Sequence, residues 1–285
     1  MNPIRSLAPL ALLALASTAA AESTLASAVA DFRAGRFAAV VEAREHLPAD
    51  ALERARVQYL VGEALLVLDR PEEAERAFAA VVAARPAAVP AQVGLGRALT
   101  RLGRLDEAAA PLAAALAAEP EDVGTRVAQG ELALARGDLE EAAKRLEAVH
   151  ATAPEDPLAA RAWFEVLLRR DDSAAAATLA EDLMQRRPEH PLGSFLLAVV
   201  MERDGEDEAA QAQYLRTLEL DPTFVDAHKN LAILCHTLSD NYTDKARAKL
   251  AYEHYAAYFE LGGGDERLRG MYDELLVYRE QILGA

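Results

Sequence analysis

The chain has 285 residues and a formal net charge of −16, and its residues are 52% hydrophobic but only 6% aromatic. The negative charge argues against sequence-independent binding of nucleic acid, which requires a basic surface. Alanine dominates the apolar residues. Because alanine combines the best helix propensity with a small side chain, the composition favours closely packed helices over a sheet. We therefore expect an all-α protein with no nucleic acid among its partners.

The first 21 residues have the three-part pattern of an export signal. Arg5 supplies the positive charge, residues 7–15 form an apolar core, and three alanines precede Glu22. We predict that residues 1–21 are removed and that the mature chain is periplasmic or secreted. Outside this segment there is no apolar run long enough for a membrane span, so no transmembrane span is expected after signal removal. A buried first helix or an uncleaved anchor is the alternative interpretation.

The rest of the chain is organised by a period of 34 residues. Prolines recur at Pro86, Pro120, Pro154, Pro188 and Pro222. In step with them, a small or aromatic residue marks the middle of each first helix, at Gly62, Gly96, Gly130, Phe164, Ala198 and Ala232. A turn signal and then an alanine follow, at Ala74, Ala108, Ala142, Ala176 and Ala210. Two helices of about a dozen residues and two short turns account for this period.

The residue types predict how the two helices of each repeat meet. Four residues after the alanine comes Phe78, Leu112, Leu146, Ala180 or Tyr214. We expect the small residue of the first helix to face the alanine of the second helix, and the larger residue to fill the space beside that contact. The proline ends the second helix because it cannot donate the next backbone hydrogen bond.

This order of residues resembles the tetratricopeptide repeat (TPR) family over essentially the whole mature chain. The resemblance implies an α-solenoid, a right-handed superhelix of about seven helical hairpins with a C-terminal capping helix. The predicted division is a signal peptide at 1–21, an array at 22–264 and a capping helix at 265–285. Within the array the repeats are predicted at 22–50, 55–88, 89–122, 123–156, 157–190, 191–224 and 225–264.

The two ends of the array depart from the pattern. The second helix of the first repeat is cut short at Leu47-Pro48, and the last repeat carries extra residues at 239–246. Three glycines at 262–264 end that repeat, since glycine suits the left-handed C-terminal cap of a helix. The residues from Glu266 to Ile282 carry an apolar stripe and are predicted to cover the open end of the array.

The sequence contains no recognisable catalytic or cofactor motif. His228 and His236 lie two helical turns apart, but no third metal ligand is in phase with them. Cys235 stands in an apolar segment and is predicted to be a buried core residue. We therefore expect no enzymatic activity, no cofactor and no metal site.

The TPR resemblance implies that the first helices line a concave groove. The residues that point into this groove by phase are Phe32, Arg33, Tyr59, Glu63, Leu66, Val93, Arg97, Arg101, Val127, Glu131, Leu134, Arg161, Glu165, Leu168, Arg169, Phe195, Val199, Glu202, Arg203, Lys229, Ile233 and His236. They include more cations than carboxylates, so the groove should be mixed or mildly basic while the outer surface is acidic. Arginines near helix ends also complement the helix dipole, which is the structural alternative.

The leading hypothesis is a non-catalytic scaffold or adaptor that binds a peptide or protein segment in its groove and supports assembly of a cell-envelope system. One alternative is a structural protein that assembles with copies of itself. Another is a regulatory subunit of an envelope enzyme complex. The sequence leaves the partner and the oligomeric state open.

Overall fold

The computed structural model of the chain describes residues 19–239 and 243–278, with side chains from residue 24 onwards. These residues form fifteen α-helices and one 3-10 turn, and no strand occurs among them. The predicted all-α class is therefore confirmed. Residues 1–18 of the predicted signal peptide and residues 279–285 of the predicted capping segment lie outside the described residues.

The chain divides into two compact units, with the boundary between Asp172 and Ser173. This boundary falls inside the predicted repeat 157–190. Below, the N-terminal unit means the described residues up to 172 and the C-terminal unit means those from 173 onwards. Each unit is a stack of antiparallel helices.

The N-terminal unit contains nine α-helices. They are α1 (Ala19–Arg33), α2 (Phe37–Glu42), α3 (Ala51–Val67), α4 (Pro71–Ala84), α5 (Val89–Arg101), α6 (Leu105–Ala118), α7 (Val123–Ala135), α8 (Leu139–Thr152) and α9 (Pro157–Arg169). Helix α2 is short and passes into the 3-10 turn Ala43–His46, which agrees with the predicted truncation of the first repeat. Helix α3 begins at Ala51 because the Asp50 carboxylate accepts hydrogen bonds from the backbone N–H groups of Leu52 and Glu53.

The C-terminal unit contains six α-helices. They are α10 (Ser173–Arg186), α11 (Pro191–Arg203), α12 (Asp207–Leu220), α13 (Val225–Leu238), α14 (Lys245–Glu260) and α15 (Glu266–Val277). The first helices α5, α7, α9, α11 and α13 begin 34 residues apart, at 89, 123, 157, 191 and 225. The period that the prolines mark is therefore the period of the helices.

The glycine of the first helix provides room for a large side chain of the second helix. A Cβ atom added to Gly62 would lie 2.7 Å from the ring of Phe78, and one added to Gly96 or Gly130 would come even closer to Leu112 or Leu146. The predicted contact between this glycine and the alanine of the second helix is therefore corrected, because the nearest atoms belong to the residue one turn further on. The alanines, such as Ala108, are also fully buried.

Within the N-terminal unit the first helices form the inner layer. Helix α5 contacts both α3 and α7, and α7 also contacts α9, whereas the second helices α4, α6 and α8 have no comparable contact with one another. The first helices are therefore closer together than the second helices. A stack of hairpins with this difference in spacing curves so that the first helices lie on its inner side. The inner face of this unit is therefore the first-helix face, where the predicted groove residues lie.

Among the residues that the structure describes, no helix combines the length and the apolar character that a membrane crossing requires.

Candidate functional site

Charged residues from four consecutive repeats interact on the inner face of the N-terminal unit. The Arg97 guanidinium donates to the Glu131 carboxylate through Nε (3.0 Å to Oε2) and Nη2 (3.3 Å to Oε1). The two residues are 34 positions apart, at the same place in successive first helices. Their side chains are 21% and 30% exposed, so solvent still reaches the pair. A two-pronged pair of this kind fixes the guanidinium plane and links neighbouring repeats.

Glu63 and Tyr59 continue this cluster towards the N-terminus. The Tyr59 hydroxyl donates a hydrogen bond to the Glu63 carboxylate. Burial raises the pKa of Glu63, and the positive charge of Arg97 opposes that rise. The pKa of Tyr59 is also raised, by burial first and then by the neighbouring carboxylate of Glu63. The charges of two carboxylates thus act on Arg97, and Glu131 is the larger cause of the raised Arg97 pKa.

Arg101, one turn beyond Arg97 on α5, is held differently. Its Nη1 donates to the backbone carbonyl of Leu66 (2.5 Å) and lies 3.7 Å from the Asp69 carboxylate. Its pKa is lowered, first by burial and then by the charge of Arg97, with a further contribution from the charge of Arg161. The side chain is nevertheless 40% exposed. We call Tyr59, Glu63, Arg97, Arg101, Glu131 and Arg161 the inner-face cluster.

The other predicted groove residues fall into different environments. The apolar residues Phe32, Leu66, Val93, Val127, Leu134 and Phe195 are buried. They belong to the packed interior, so we do not count them among the accessible contact residues. Leu168, Val199 and Ile233 are partly exposed, whereas Arg33 and Arg203 are exposed.

Two more predicted residues pair with each other. The Arg169 guanidinium donates to the Glu165 carboxylate one turn earlier on α9 (2.9 Å). Such i,i+4 pairs on an exposed helix contribute little to stability.

The predicted residues of the C-terminal unit form a separate group. Glu202 accepts a hydrogen bond from the Tyr214 hydroxyl (2.5 Å), and the Asn230 amide donates to the same hydroxyl oxygen (3.2 Å). His236 packs edge-on against Tyr255. The pKa of Asp265 is lowered, first by the hydrogen bond from the Arg267 side chain and least by the charge of Lys229. These side chains are engaged in contacts between neighbouring helices of the repeats, so they are less suited to an open binding surface.

Sequence reasoning missed a pair of histidines in the C-terminal unit. The Nδ1 atoms of His228 and His254 lie 2.9 Å apart, and Nε2 of His228 lies 3.0 Å from the Pro222 carbonyl oxygen. The only signal in the sequence was that both histidines fall on successive helices of one repeat. The sequence analysis paired His228 with His236 instead, because those two share a helix.

The cluster offers hydrogen bonds and ion pairs but no nucleophile with an adjacent base. Among the described residues, no group of three or more His, Cys, Asp or Glu side chains is arranged to hold a metal ion. Cys235 is buried as predicted, and burial raises the pKa of its thiol to about 11. A thiol with so high a pKa is a poor nucleophile at neutral pH.

The repeat units match the tetratricopeptide repeat family at residues 59–123, 127–166 and 162–223. The chain therefore belongs to the tetratricopeptide repeat family, whose members generally mediate protein–protein interaction and are typically not enzymes. No curated protein matches the sequence.

Solved structures with the same fold are distant in sequence. A thermophilic TPR protein of Thermus thermophilus is 20% identical, with a TM-score of 0.54, over 63% of this chain and 98% of that one. A tetratricopeptide repeat protein from Parabacteroides merdae is 13% identical, with a TM-score of 0.57, over 90% of this chain and 98% of that one. IFIT1 with Gppp-AAAA is 17% identical, with a TM-score of 0.54, over 80% of this chain and 54% of that one. At these identities the likeness concerns the fold alone.

Proposed function

We propose that this protein is a non-catalytic scaffold that binds a peptide or protein segment on the inner face of its N-terminal unit. The observation that carries the proposal is the inner-face cluster, in which polar and charged side chains from four successive repeats remain at least partly accessible on the first-helix side. A row of side chains spaced by one repeat suits a segment that runs along the row and contacts several repeats in turn.

Net charge favours a protein over a nucleic acid as the partner. The IFIT1 structure, which has a similar fold, contains Gppp-AAAA, so the fold does not by itself decide between the two classes. This chain has a net charge of −16. On this surface Arg97 faces Glu131 and Arg101 faces Asp69. A phosphate backbone is bound by a strongly cationic surface, whereas the three arginines of this cluster stand beside two glutamates.

The wider setting in this proposal is the cell envelope. The export signal predicted at residues 1–21 would deliver the chain to the periplasm or the exterior. There a repeat scaffold would hold components of an assembling envelope system together.

A pull-down from envelope extract tests the proposal. The tagged protein would be compared with Arg101→Glu, which reverses a charge in the cluster, and with Arg104→Glu. Arg104 is a suitable control because it lies in the same repeat and is 41% exposed, but it pairs with Glu75 and Glu107 on second helices. We expect Arg101→Glu to lose proteins that the wild type and Arg104→Glu both retain, as identified by mass spectrometry. Equal recovery by all three proteins would place binding elsewhere.

A further inference from the structure

The Arg101 guanidinium is only partly used by the protein itself. An arginine carries five N–H donors in a rigid fork. Of these, Nη1 is occupied by the Leu66 carbonyl and faces Asp69 at 3.7 Å. Nε and Nη2 have no hydrogen-bond partner among the described residues, and the side chain as a whole is 40% exposed. The Nε–Nη2 edge of the fork is therefore left unused by the protein itself, and we call it the open edge.

Arg97, by contrast, already uses the Nε–Nη2 edge of its fork. Both atoms donate to Glu131, and the charge of Glu63 also acts on the guanidinium. An acidic group that approached this edge would have to displace Glu131. Seven cations in the predicted groove therefore do not amount to seven anion sites, because in this part of the groove internal pairing removes Arg97 from the set.

The surroundings of Arg101 favour a negative charge. The charges of Arg97 and Arg161 both act on it unfavourably, whereas Glu131 and, to a smaller extent, Asp69 at 3.7 Å compensate only in part. A carboxylate placed against the open edge would be attracted by the charges of all three arginines. It could also accept two parallel hydrogen bonds from Arg101. Asp69 is itself 59% exposed, so its own compensation is weakened by solvent.

We infer that Arg101 is the residue at which the groove selects its partner, by binding one Asp or Glu side chain of the bound segment through Nε and Nη2. This inference rests on the proposed peptide-binding function and narrows it to segments that carry an acidic side chain at one position. Arg97 and Glu131 then act as the fixed wall that orients the segment.

Peptide pools test this inference and do not require the partner to be identified. Fluorescein-labelled decapeptides would carry Glu at the centre in one pool and Gln in the other, with the flanking positions randomised over uncharged residues. Fluorescence anisotropy gives the affinity of the wild type, Arg101→Gln and Arg104→Gln for each pool. Arg101→Gln keeps a polar side chain with an N–H donor but removes the charge, and thermal melting checks that it is folded.

We expect the wild type to bind the Glu pool about tenfold more tightly than the Gln pool, the size of one charge-assisted hydrogen-bonded contact. The preference should disappear in Arg101→Gln and persist in Arg104→Gln. Equal binding of both pools by the wild type would overturn the acidic preference and leave the groove function in place. A preference that survives in Arg101→Gln would overturn the assignment to Arg101. If the wild type binds neither pool, the groove function fails together with the inference.

Discussion

Single residues determine how closely the two helices of a repeat approach. Gly62, Gly96 and Gly130 occupy the same position in consecutive first helices, and each gives space to a larger side chain sixteen residues later. The sequence identified these positions as small but assigned the wrong neighbour. Ala108 and Leu112 lie one turn apart on the same face of α6. Which of them lies nearest to Gly96 depends on how α6 is positioned against α5, and the spacing of residues in the sequence does not define that position.

Gly96→Ala tests this contact. A Cβ at Gly96 would overlap Leu112, so we expect a loss of stability of roughly 1 to 3 kcal/mol, reduced by the better helix propensity of alanine. Chemical denaturation measures the change. In a Leu112→Ala background the overlap is gone, and the same substitution should become neutral or stabilising.

Gly270→Ala is the matched control for this prediction. Gly270 lies inside α15, and a Cβ there meets nothing within 4 Å. We expect it to stabilise the protein by about 0.5 to 1 kcal/mol. If Gly96→Ala behaves like Gly270→Ala in the wild-type background, the close contact with Leu112 is wrong.

At the scale of helices, the side-chain hydrogen bonds and ion pairs between different helices were the hardest feature to predict from the sequence. Arg97 and Glu131 were both predicted to face the groove, but that they pair depends on the lateral distance between α5 and α7. Opposite charges at one position of successive repeats are the signal that could have found this pair. His228 and His254 are 26 residues apart, and no such regularity links them.

The histidine pair has a defined arrangement of protons. The Pro222 carbonyl can only accept, so His228 must donate to it from Nε2, and in the neutral ring its Nδ1 is then an acceptor. His254 must therefore carry its proton on Nδ1. Long-range ¹H–¹⁵N correlation spectra at pH 7.5 report the tautomers directly. We expect Nε2–H for His228 and Nδ1–H for His254, and the reverse assignment would rule out this hydrogen bond.

Acid should weaken the α13–α14 hairpin through the same pair. Burial, followed by the charge of His228, lowers the pKa of His254 from 6.5 to about 4. Burial also lowers the pKa of His228, against the opposing influence of the Pro222 carbonyl and the Asp221 carboxylate. Between pH 6.5 and 4 the unfolded chain takes up a proton that the folded His254 does not. The stabilisation that is complete above pH 6.5 is therefore lost as the pH falls towards 4.

The contribution of His254 is measurable by substitution. The free energy of unfolding of the wild type should fall when the pH is lowered from 7.5 to 5. We expect this fall to be smaller by on the order of 2 kcal/mol in His254→Gln, as measured by denaturation at both pH values. His46→Gln, at an exposed histidine of the 3-10 turn, should have the pH dependence of the wild type. An unchanged pH dependence in His254→Gln would contradict the assigned role.

At the scale of the whole chain, the fold class could be predicted because its signal repeats. Prolines at 34-residue intervals, together with small residues in step with them, leave few architectures other than stacked hairpins. The division into two compact units was not predicted, since the turn at Asp171 and Asp172 reads in sequence like the other turns between helices. Asp171 does adopt the left-handed conformation that glycine has at Gly103, Gly137 and Gly205.

The export prediction is tested by the mature N-terminus. We expect the protein to be recovered from the periplasmic fraction or the medium with Glu22 as its first residue, because the three preceding alanines form the cleavage pattern. Mass spectrometry of the N-terminal peptide gives the answer. A chain in the cytoplasm that retains residues 1–21 would remove the envelope setting but not the fold.

Photo-crosslinking in the native cell tests most directly whether the inner face binds a protein. A benzoylphenylalanine would replace Thr100, which lies on α5 beside Arg101, or Ala113, which is exposed on the second helix α6. We predict that light couples the protein to a different polypeptide from position 100 and not from position 113. Coupling from position 113 alone, or coupling from position 100 only to a second copy of the same chain, would contradict the account.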